Sequence, residues 1–327
     1  MRLRQIGLTL GALGVLLGPG GAQGADPEVL IFGVLSTESQ ANQRPLWEPF
    51  VAAMERGIGI SVKAFYVTQY AGVIEAMRFK KVDVALFGAK SYLEASRRAE
   101  AEAFALMIND KGGTGYYAKL VTHRDHPLAK ESLISGDGIQ YMLEHAAELT
   151  FAFNDPNSTS GFLVPYYYIF SSRRLDPKQV FKRVIFSGSH EANALSAAYR
   201  RVDVATINNW SLRRLSLSNP EAFGQLVAIW TSPEIPTVPI AYRKDLSEPL
   251  KARIREFFLT FTDEEVLGPM FMRGFAPTDD SVFDPVRKME IVKDLRAVET
   301  NEYLEPDEKR RRIDALQQRL ETLRISS

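Results

Sequence analysis

The chain of 327 residues contains no cysteine, only four histidines and 40 residues of each charge sign. Without cysteine there is no disulfide, no thiolate nucleophile and no lipidated cysteine that would tether an exported protein to a membrane. The balanced charge attracts neither nucleic acid nor anionic membrane, so any anion site must be built locally. Beyond the N-terminus, no segment approaches the roughly 20 apolar residues of a transmembrane helix. We therefore expect a globular protein that does not bind polyanions non-specifically.

The N-terminus has the pattern of a secretory signal peptide. Arg2 and Arg4 precede an apolar run over 6–17, and small residues follow around 22–24. This pattern predicts a signal peptide over 1–24 and a mature protein that is periplasmic, soluble and not lipid-anchored.

The chain repeats itself at an offset of about 120 residues. Segments 76–90 and 197–210 both contain Val-Asp-Val-Ala after a basic turn, and the strand-like run 29–34 has a counterpart at 149–154. The shared order of strand, helix, strand, helix and strand predicts two α/β lobes, each a mostly parallel sheet flanked by helices. Two unrelated α/β units are the alternative.

The predicted organisation follows from this repeat and from two crossings of the chain, near 116–127 and 229–244, which would form a hinge. The predicted segments are a signal peptide (1–24), lobe 1 (25–121 plus 240–287), lobe 2 (122–239) and C-terminal helices (288–327).

Three consecutive hydroxyl residues, Ser158, Thr159 and Ser160, follow a strand and precede a helix-like stretch. One such residue suffices to cap a helix, which is the simpler explanation. Three hydroxyls at the positive end of a helix dipole suit an oxyanion such as phosphate. The repeat places Glu38, Ser39 and Gln40 at the equivalent positions of lobe 1.

Ligands of open parallel sheets bind at the carboxyl ends of the strands, so two facing lobes predict a cleft between them. The same offset pairs Tyr70 with His190 and Lys90 with Trp210 across this cleft. At a helix start, His190 could donate a hydrogen bond to an anion or merely cap the helix. Tyr116 or Tyr117 could add a phenol, although either could instead be a core tyrosine.

Enzymatic chemistry finds little support in the sequence. A nucleophile elbow of the form G-x-S-x-G is not supplied by Gly188-Ser189-His190, and the four histidines lack metal-ligand spacing. The sequence predicts neither a metal site nor a cofactor.

Several segments together resemble the periplasmic phosphonate-binding proteins of ABC importers, over nearly the whole mature chain. The segments are "FGVLSTESQ", "YAGVIEAMRFKKVDVALFG", "GTGYY", "DPNSTSGFLVP", "GSHEANALSAAYRRVDVATINN" and "SPEIPTVPI". The resemblance implies a two-lobed type II periplasmic binding fold, a permease with its ATPase as partner, and often a dimer through C-terminal helices. It also implies that the phosphonate group is held by Tyr70, Tyr116, Ser158, Thr159, Ser160 and His190.

The chain departs from this family pattern at two positions. Family members that bind aminoethylphosphonate have carboxylates where this chain has Trp210 and Val238. An ammonium enclosed without a counter-charge is costly, so we expect a non-amine substituent, or a quaternary ammonium held by the indole face of Trp210. Lys90 could contact a ligand carboxylate or be a solvated surface lysine. Phosphite or phosphate is the alternative ligand, and a hydrolase is much less favoured.

The C-terminal segment has apolar residues at helical spacing, at Ile313, Leu316, Leu320 and Leu323. This stripe must be buried, either against the protein's own lobe or in a homodimer.

Overall fold

The computed structural model describes residues 26–136 and 138–325. The predicted signal peptide, 1–24, lies outside the described residues. The strands are, in chain order, β1 (Val29–Val34), β2 (Ser61–Tyr66), β3 (Val84–Leu86), β4 (Ala101–Asn109), β5 (Gly115–Tyr116), β6 (Ala118–His123), β7 (Thr150–Phe153), β8 (Arg183–Phe186), β9 (Val204–Asn208), β10 (Leu226–Thr231), β11 (Ile235–Pro236), β12 (Pro239–Arg243) and β13 (Met272–Pro277).

The helices flank the sheets and form the C-terminal segment. They are α1 (Gln40–Ile58), α2 (Tyr70–Arg78), α3 (Ala89–Ala99), α4 (Pro127–Ser135), α5 (Gly138–Glu144), α6 (Pro177–Val180), α7 (His190–Ala198), α8 (Asn209–Ser218), α9 (Pro220–Gly224), α10 (Glu248–Thr260), α11 (Glu264–Leu267), α12 (Asp284–Glu299) and α13 (Pro306–Ile325). Short 3₁₀ turns lie at Ala146–Glu148, Ser171–Arg173, Gly268–Met270 and Asp280–Phe283, and π-helical segments at Thr159–Leu163 and Tyr166–Phe170.

The strands form two main sheets with the same core arrangement. The first has the order β13-β4-β12-β3-β1-β2 and the second the order β10-β6-β9-β7-β8. In each, three parallel strands form one side, β3-β1-β2 in the first and β9-β7-β8 in the second. The predicted two-lobed α/β architecture is confirmed. The structure adds antiparallel strands on the other side of each parallel set, because chain segments near the crossings join the sheets there.

The aspartate of the repeated Val-Asp-Val-Ala segment makes an equivalent hydrogen bond in both sets of parallel strands. Asp83 accepts a hydrogen bond from the backbone N–H of Ile31 at 2.8 Å, and Asp203 accepts one from Thr150 at 2.7 Å. Each carboxylate thus ties its own segment to the parallel strand beside it. The aspartates are structural, as their alternation with buried valines suggests.

The two crossings of the chain lie side by side. Strand β5 pairs with β11 in a separate two-stranded sheet, with Tyr116 opposite Ile235. The predicted lobe boundary after residue 121 falls inside β6, all of which belongs to the second sheet. Because Tyr116 lies in this connection, its side chain is placed between the two halves.

The C-terminal helices α12 and α13 pack against each other within the chain. Leu316 is buried, whereas Ile313, Leu320 and Leu323 are half-buried. The apolar stripe of α13 is therefore partly covered by the protein's own structure. Across the described residues, no helix is both long and apolar enough to cross a membrane.

Candidate ligand-binding cleft

The hydroxyl triplet begins a continuous helical segment over 159–173 that is largely π-helical. Pro165 lacks an N–H and cannot donate to the carbonyl of Gly161 four residues earlier. That carbonyl accepts instead from the Asn154 N–H at 3.0 Å and the Thr206 hydroxyl at 2.7 Å. These bonds tie the start of the segment to β7 and β9, and wide π turns of this kind are frequent at functional sites.

A cavity of about 100 Å³ lies between the two sheets, and eight of the nine predicted site residues line it. They are Tyr70, Tyr116, Ser158, Thr159, Ser160, His190, Trp210 and Val238. Leu35, Leu46, Met107, Met270 and Met272 provide apolar wall elsewhere in the cavity. Lys90 is the predicted residue that does not line it.

Protein N–H groups donate hydrogen bonds to the oxygens of several hydroxyl groups that line the cavity. Ser158 accepts from the Gly161 N–H at 3.0 Å, Thr159 from the Lys90 N–H at 2.9 Å, and Tyr70 from the Asn154 amide at 3.1 Å. Each hydroxyl retains its own hydrogen as a donor. These oxygens are held in place by N–H groups. Their hydrogens bond among the lining hydroxyls, and a bound anion can accept them instead.

The tyrosine phenols remain protonated. Burial raises the pKa of Tyr116 to about 12, although hydrogen bonds from Ser160 and Thr159 lower it in part. Burial also raises the pKa of Tyr70. The neighbouring Tyr117 is exposed and donates its hydroxyl hydrogen to Glu234 at 2.8 Å. Of these two neighbours, Tyr116 and not Tyr117 lines the cavity.

His190 opens α7 and is only 2% exposed. Its Nε2 lies 3.3 Å from the Ser160 hydroxyl, and its Nδ1 is buried without a partner in the described residues. Burial lowers the pKa of His190 to about 3, so the ring is neutral at physiological pH. A neutral imidazole carries one N–H donor and adds no charge to the site.

The two halves of the molecule contact each other through reciprocal hydrogen bonds. The N–H of His190 donates to the Thr37 carbonyl at 3.0 Å, which joins the start of α7 to the loop after β1. The N–H of Tyr70 donates to Asp155 at 3.4 Å, which joins the start of α2 to the loop after β7. The cleft is therefore closed in this structure.

Two charged residues of the cavity were not identified as site residues from the sequence. Glu38 and Arg214 both line it, and Arg214 Nε lies 2.8 Å from Glu38 Oε1. Burial raises the pKa of Glu38 to about 7, Arg214 opposes this increase, and Glu191 adds to it. The repeat located Glu38 as the counterpart of Ser158, and Arg214 follows Trp210 by one helical turn of α8. Those spacings were the available signals.

Lys90 is buried and directed away from the cavity. Its Nζ lies 3.4 Å from Glu290 Oε1 of α12, and burial lowers its pKa while Glu290 raises it. The expectation of a solvated surface lysine is therefore incorrect. Contact with a ligand carboxylate has no support in this geometry.

Trp210 is half-buried and stacks on Tyr116, with ring centroids 5.0 Å apart and an interplanar angle of 15°. One face of the indole is therefore covered by the phenol. Val238 is also half-buried. Neither residue supplies charge to the cavity.

In the part of the chain that the structure describes, no group of three or more potential metal ligands comes together. The cavity instead combines neutral hydrogen-bond donors from both halves with an apolar wall and one ion pair. Such a set can hold a small anion that carries an apolar or mixed substituent.

Comparison with known proteins agrees with this chemistry. A family described as "ABC transporter, phosphonate, periplasmic substrate-binding protein" matches residues 32–283. This chain belongs to that family. Its members are substrate-binding components of transporters, which accounts for a cleft that is rich in donors.

Individual relatives span most of the chain. A phosphonates-binding periplasmic protein of Escherichia coli strain K12 is 39% identical over 316 residues, covering 95% of this chain and 90% of the relative. The crystal structure of a binding protein component of an ABC phosphonate transporter from Pseudomonas aeruginosa has a TM-score of 0.84 and 40% identity. That match covers 92% of this chain and 98% of the other.

A more distant family relative has a different named cargo. A phosphate-import protein of Mycolicibacterium smegmatis is 27% identical over 214 residues, covering 63% of each chain. Members related at this level thus differ in the phosphorus oxyanion for which they are named.

Proposed function

We propose that this protein captures an organophosphonate between its two lobes in the periplasm and delivers it to the permease and ATPase of an ABC importer. The observation that carries the proposal is the convergence of six neutral donor side chains on one buried cavity. They are Tyr70, Tyr116, Ser158, Thr159, Ser160 and His190. Binding without catalysis is expected, because the cavity offers donors and no activated nucleophile.

The strength of the donor set fits reversible capture. A hydrogen bond to a charged group contributes roughly 1.5 to 3 kcal/mol, so six supply on the order of 9 to 18 kcal/mol. Association costs roughly 4 to 15 kcal/mol, which leaves the range of micromolar and tighter ligands. Since the donors come from both halves, full affinity requires closure of the cleft.

The apolar wall favours a phosphonate over phosphate, and also over phosphite, whose P–H leaves the wall without a carbon substituent to contact. A phosphonate presents three oxygens and one carbon substituent, whereas phosphate presents a fourth oxygen. Met107, Met270 and Met272 would leave an additional oxygen without a partner, which is costly in a buried site. Phosphate or phosphite is the second candidate, and the phosphate-import relative is the observation that favours it.

The finer prediction concerns the substituent. The sequence predicts a non-amine or quaternary-amine tail, because Trp210 and Val238 replace carboxylates found in some relatives. That prediction presumes that no carboxylate reaches the ligand, and the structure places Glu38 on the cavity wall. The preference for a substituent therefore depends also on Glu38.

Isothermal titration of the purified mature protein tests the function. Methylphosphonate should bind with micromolar or tighter affinity, and phosphate and phosphite should bind more weakly. Ser158→Ala should weaken every phosphonate by a similar factor of about 10 to 100, because Ser158 contacts the shared head group. Ser172→Ala, an exposed serine of the same helical segment, is the matched control and should change nothing.

The opposite results are equally clear. Unchanged affinity for all ligands in Ser158→Ala would show that the anion site is misplaced. Tighter binding of phosphate than of any phosphonate would favour the second candidate, and release of inorganic phosphate from a phosphonate or phosphate ester would identify an enzyme.

Assembly is a separate prediction. A homodimer through the C-terminal helices would cover the half-buried residues of the α13 stripe. Light scattering of the mature protein should then give twice the mass of the chain, and loss of the C-terminal helices should return it to a monomer.

A further inference from the structure

Glu38 has a buried carboxylate oxygen that the protein does not use. The side chain is 8% exposed, and its Oε1 is engaged by Arg214. Its Oε2 is buried and has no hydrogen-bond partner in the described residues. Glu38 lines the same cavity as the phosphonate donors, so a ligand bound there is placed to supply the missing donor.

An unpartnered carboxylate oxygen is costly in a closed cleft. Buried polar atoms are nearly always hydrogen-bonded, so an exception in a cavity indicates a missing donor. Arg214 satisfies one oxygen and supplies a counter-charge, but it leaves the second without a donor. The raised pKa of Glu38 is consistent with this deficit.

We propose that Glu38 recognises the substituent of the phosphonate, its free Oε2 accepting a hydrogen bond from an ammonium or hydroxyl group on that substituent. This inference rests on the proposed function. Arg214 positions the carboxylate, and Trp210, one helical turn earlier on α8, lies on the same side of the helix. A carboxylate from lobe 1 thus takes the role that positions 210 and 238 do not fill.

The net charge of the ligand-bound cavity favours a phosphonate whose substituent carries a hydrogen-bond donor. The six head-group donors are neutral, and Glu38 in its ionised form cancels the charge of Arg214. A ligand ammonium offsets part of the phosphonate charge that the closed cleft encloses, and an N–H or O–H donor satisfies Oε2. A quaternary ammonium has no N–H and leaves that oxygen without a partner.

Four phosphonates with matched two-carbon substituents test the inference by titration calorimetry. They are ethylphosphonate, 2-hydroxyethylphosphonate, 2-aminoethylphosphonate and 2-(trimethylammonio)ethylphosphonate. The wild-type protein should bind the aminoethyl ligand at least about tenfold more tightly than the ethyl ligand, as expected for a hydrogen bond to a charged group. The hydroxyethyl ligand should also exceed the ethyl ligand, and the quaternary ligand should not match the primary amine.

The Glu38→Gln variant separates recognition from closure. It should reduce the advantage of the aminoethyl over the ethyl ligand to threefold or less, with ethylphosphonate affinity changed less than threefold. Glu191→Gln is the comparison variant. Glu191 bridges to the start of α1 through the Ser39 N–H and the Asn42 amide, both at 2.6 Å, and does not line the cavity. It should shift all four ligands together.

The possible failures are distinguishable. If none of the four ligands binds the folded protein, the proposed function is wrong. If ethylphosphonate binds and the donor-bearing ligands gain nothing, only the role of Glu38 is wrong. The wild-type series decides this even if Glu38→Gln does not fold. Tightest binding of the quaternary ligand would likewise overturn the role of Glu38 and favour the indole of Trp210.

Discussion

At the scale of single residues, the six donors of the proposed site are uncharged. His190 illustrates this, because its burial removes the charge that a surface histidine would acquire in mild acid. A neutral donor set does not depend on cellular pH for its charge. It also avoids the cost of burying several cations beside one anion.

The depressed pKa of His190 predicts a specific loss of stability in acid. An unfolded chain takes up a proton near the ordinary histidine value of 6.5, whereas the folded protein resists protonation down to about 3. This contribution to stability is therefore complete above pH 6.5 and is lost as pH falls towards 3. At pH 4.5 the loss should be about 2 to 3 kcal/mol.

Urea unfolding at pH 7 and pH 4.5 measures this effect. The wild-type protein should lose more stability between the two pH values than His190→Gln, by the amount given above. An equal loss in both proteins would mean that the histidine is not buried in its neutral form.

The sequence predicted the positions of site residues within the repeat, but not the ion pairs that these residues make. The 120-residue repeat brought Tyr70, His190 and the hydroxyl triplet to one cleft, and the structure places them there. It could not show which way Lys90 turns, because its partner, Glu290, lies in a C-terminal helix outside the repeat. The ion pair of Glu38 with Arg214 was missed for a similar reason, since each partner comes from a different lobe.

At the scale of elements, the segment after β7 is the most specialised part of the fold. The sequence predicted a helix there from its apolar pattern and hydroxyl start. It did not predict π turns, because these depend on bonds from Thr206 and Asn154 to the Gly161 carbonyl. Gly161 itself has no room for a side chain, since an added Cβ would lie 2.4 Å from Asn154 Cβ.

Gly161→Ala should therefore destabilise the protein and weaken ligand binding. The contact involves Cβ of a buried residue that cannot rotate away, so we expect a cost of about 1 to 3 kcal/mol, typical of overpacking. Thermal unfolding and titration calorimetry provide the measurements. Gly224→Ala, where an added Cβ meets nothing within 4 Å, is the control and should be near neutral. Equal behaviour of the two variants would contradict the close packing at Gly161.

At the scale of the whole molecule, closure is distributed over both halves. Thr37 and Asp155 each accept an N–H from the first residue of a helix in the opposite half. Glu38 differs from these contacts, because we expect its ionisation to change when the cleft closes. In an open, hydrated cleft we expect its pKa near the ordinary value of 4.5, whereas it is about 7 in the closed form.

Closure without ligand should consequently weaken as pH rises. Below pH 4.5 Glu38 is protonated in both forms; between 4.5 and 7 the open form ionises first, so the closed form loses about 3 kcal/mol of relative stability. Arg214 and Glu191, which face this carboxyl from α8 and α7, are the charged groups whose effects are already contained in that value.

Small-angle X-ray scattering of the ligand-free protein can follow this change. The radius of gyration should increase from pH 5 to pH 8 in the wild-type protein and stay constant in Glu38→Gln. The same increase in both proteins would assign the effect to another group.

Replacing Pro165 would affect helix stability and ligand binding in opposite directions. A residue with an N–H at this position could complete a regular α-helical bond to the Gly161 carbonyl, and the helix by itself would gain stability. That bond would compete with Thr206 and Asn154 for the carbonyl that anchors the hydroxyl triplet. Selection for heat resistance and selection for tight ligand capture would thus drive position 165 in opposite directions.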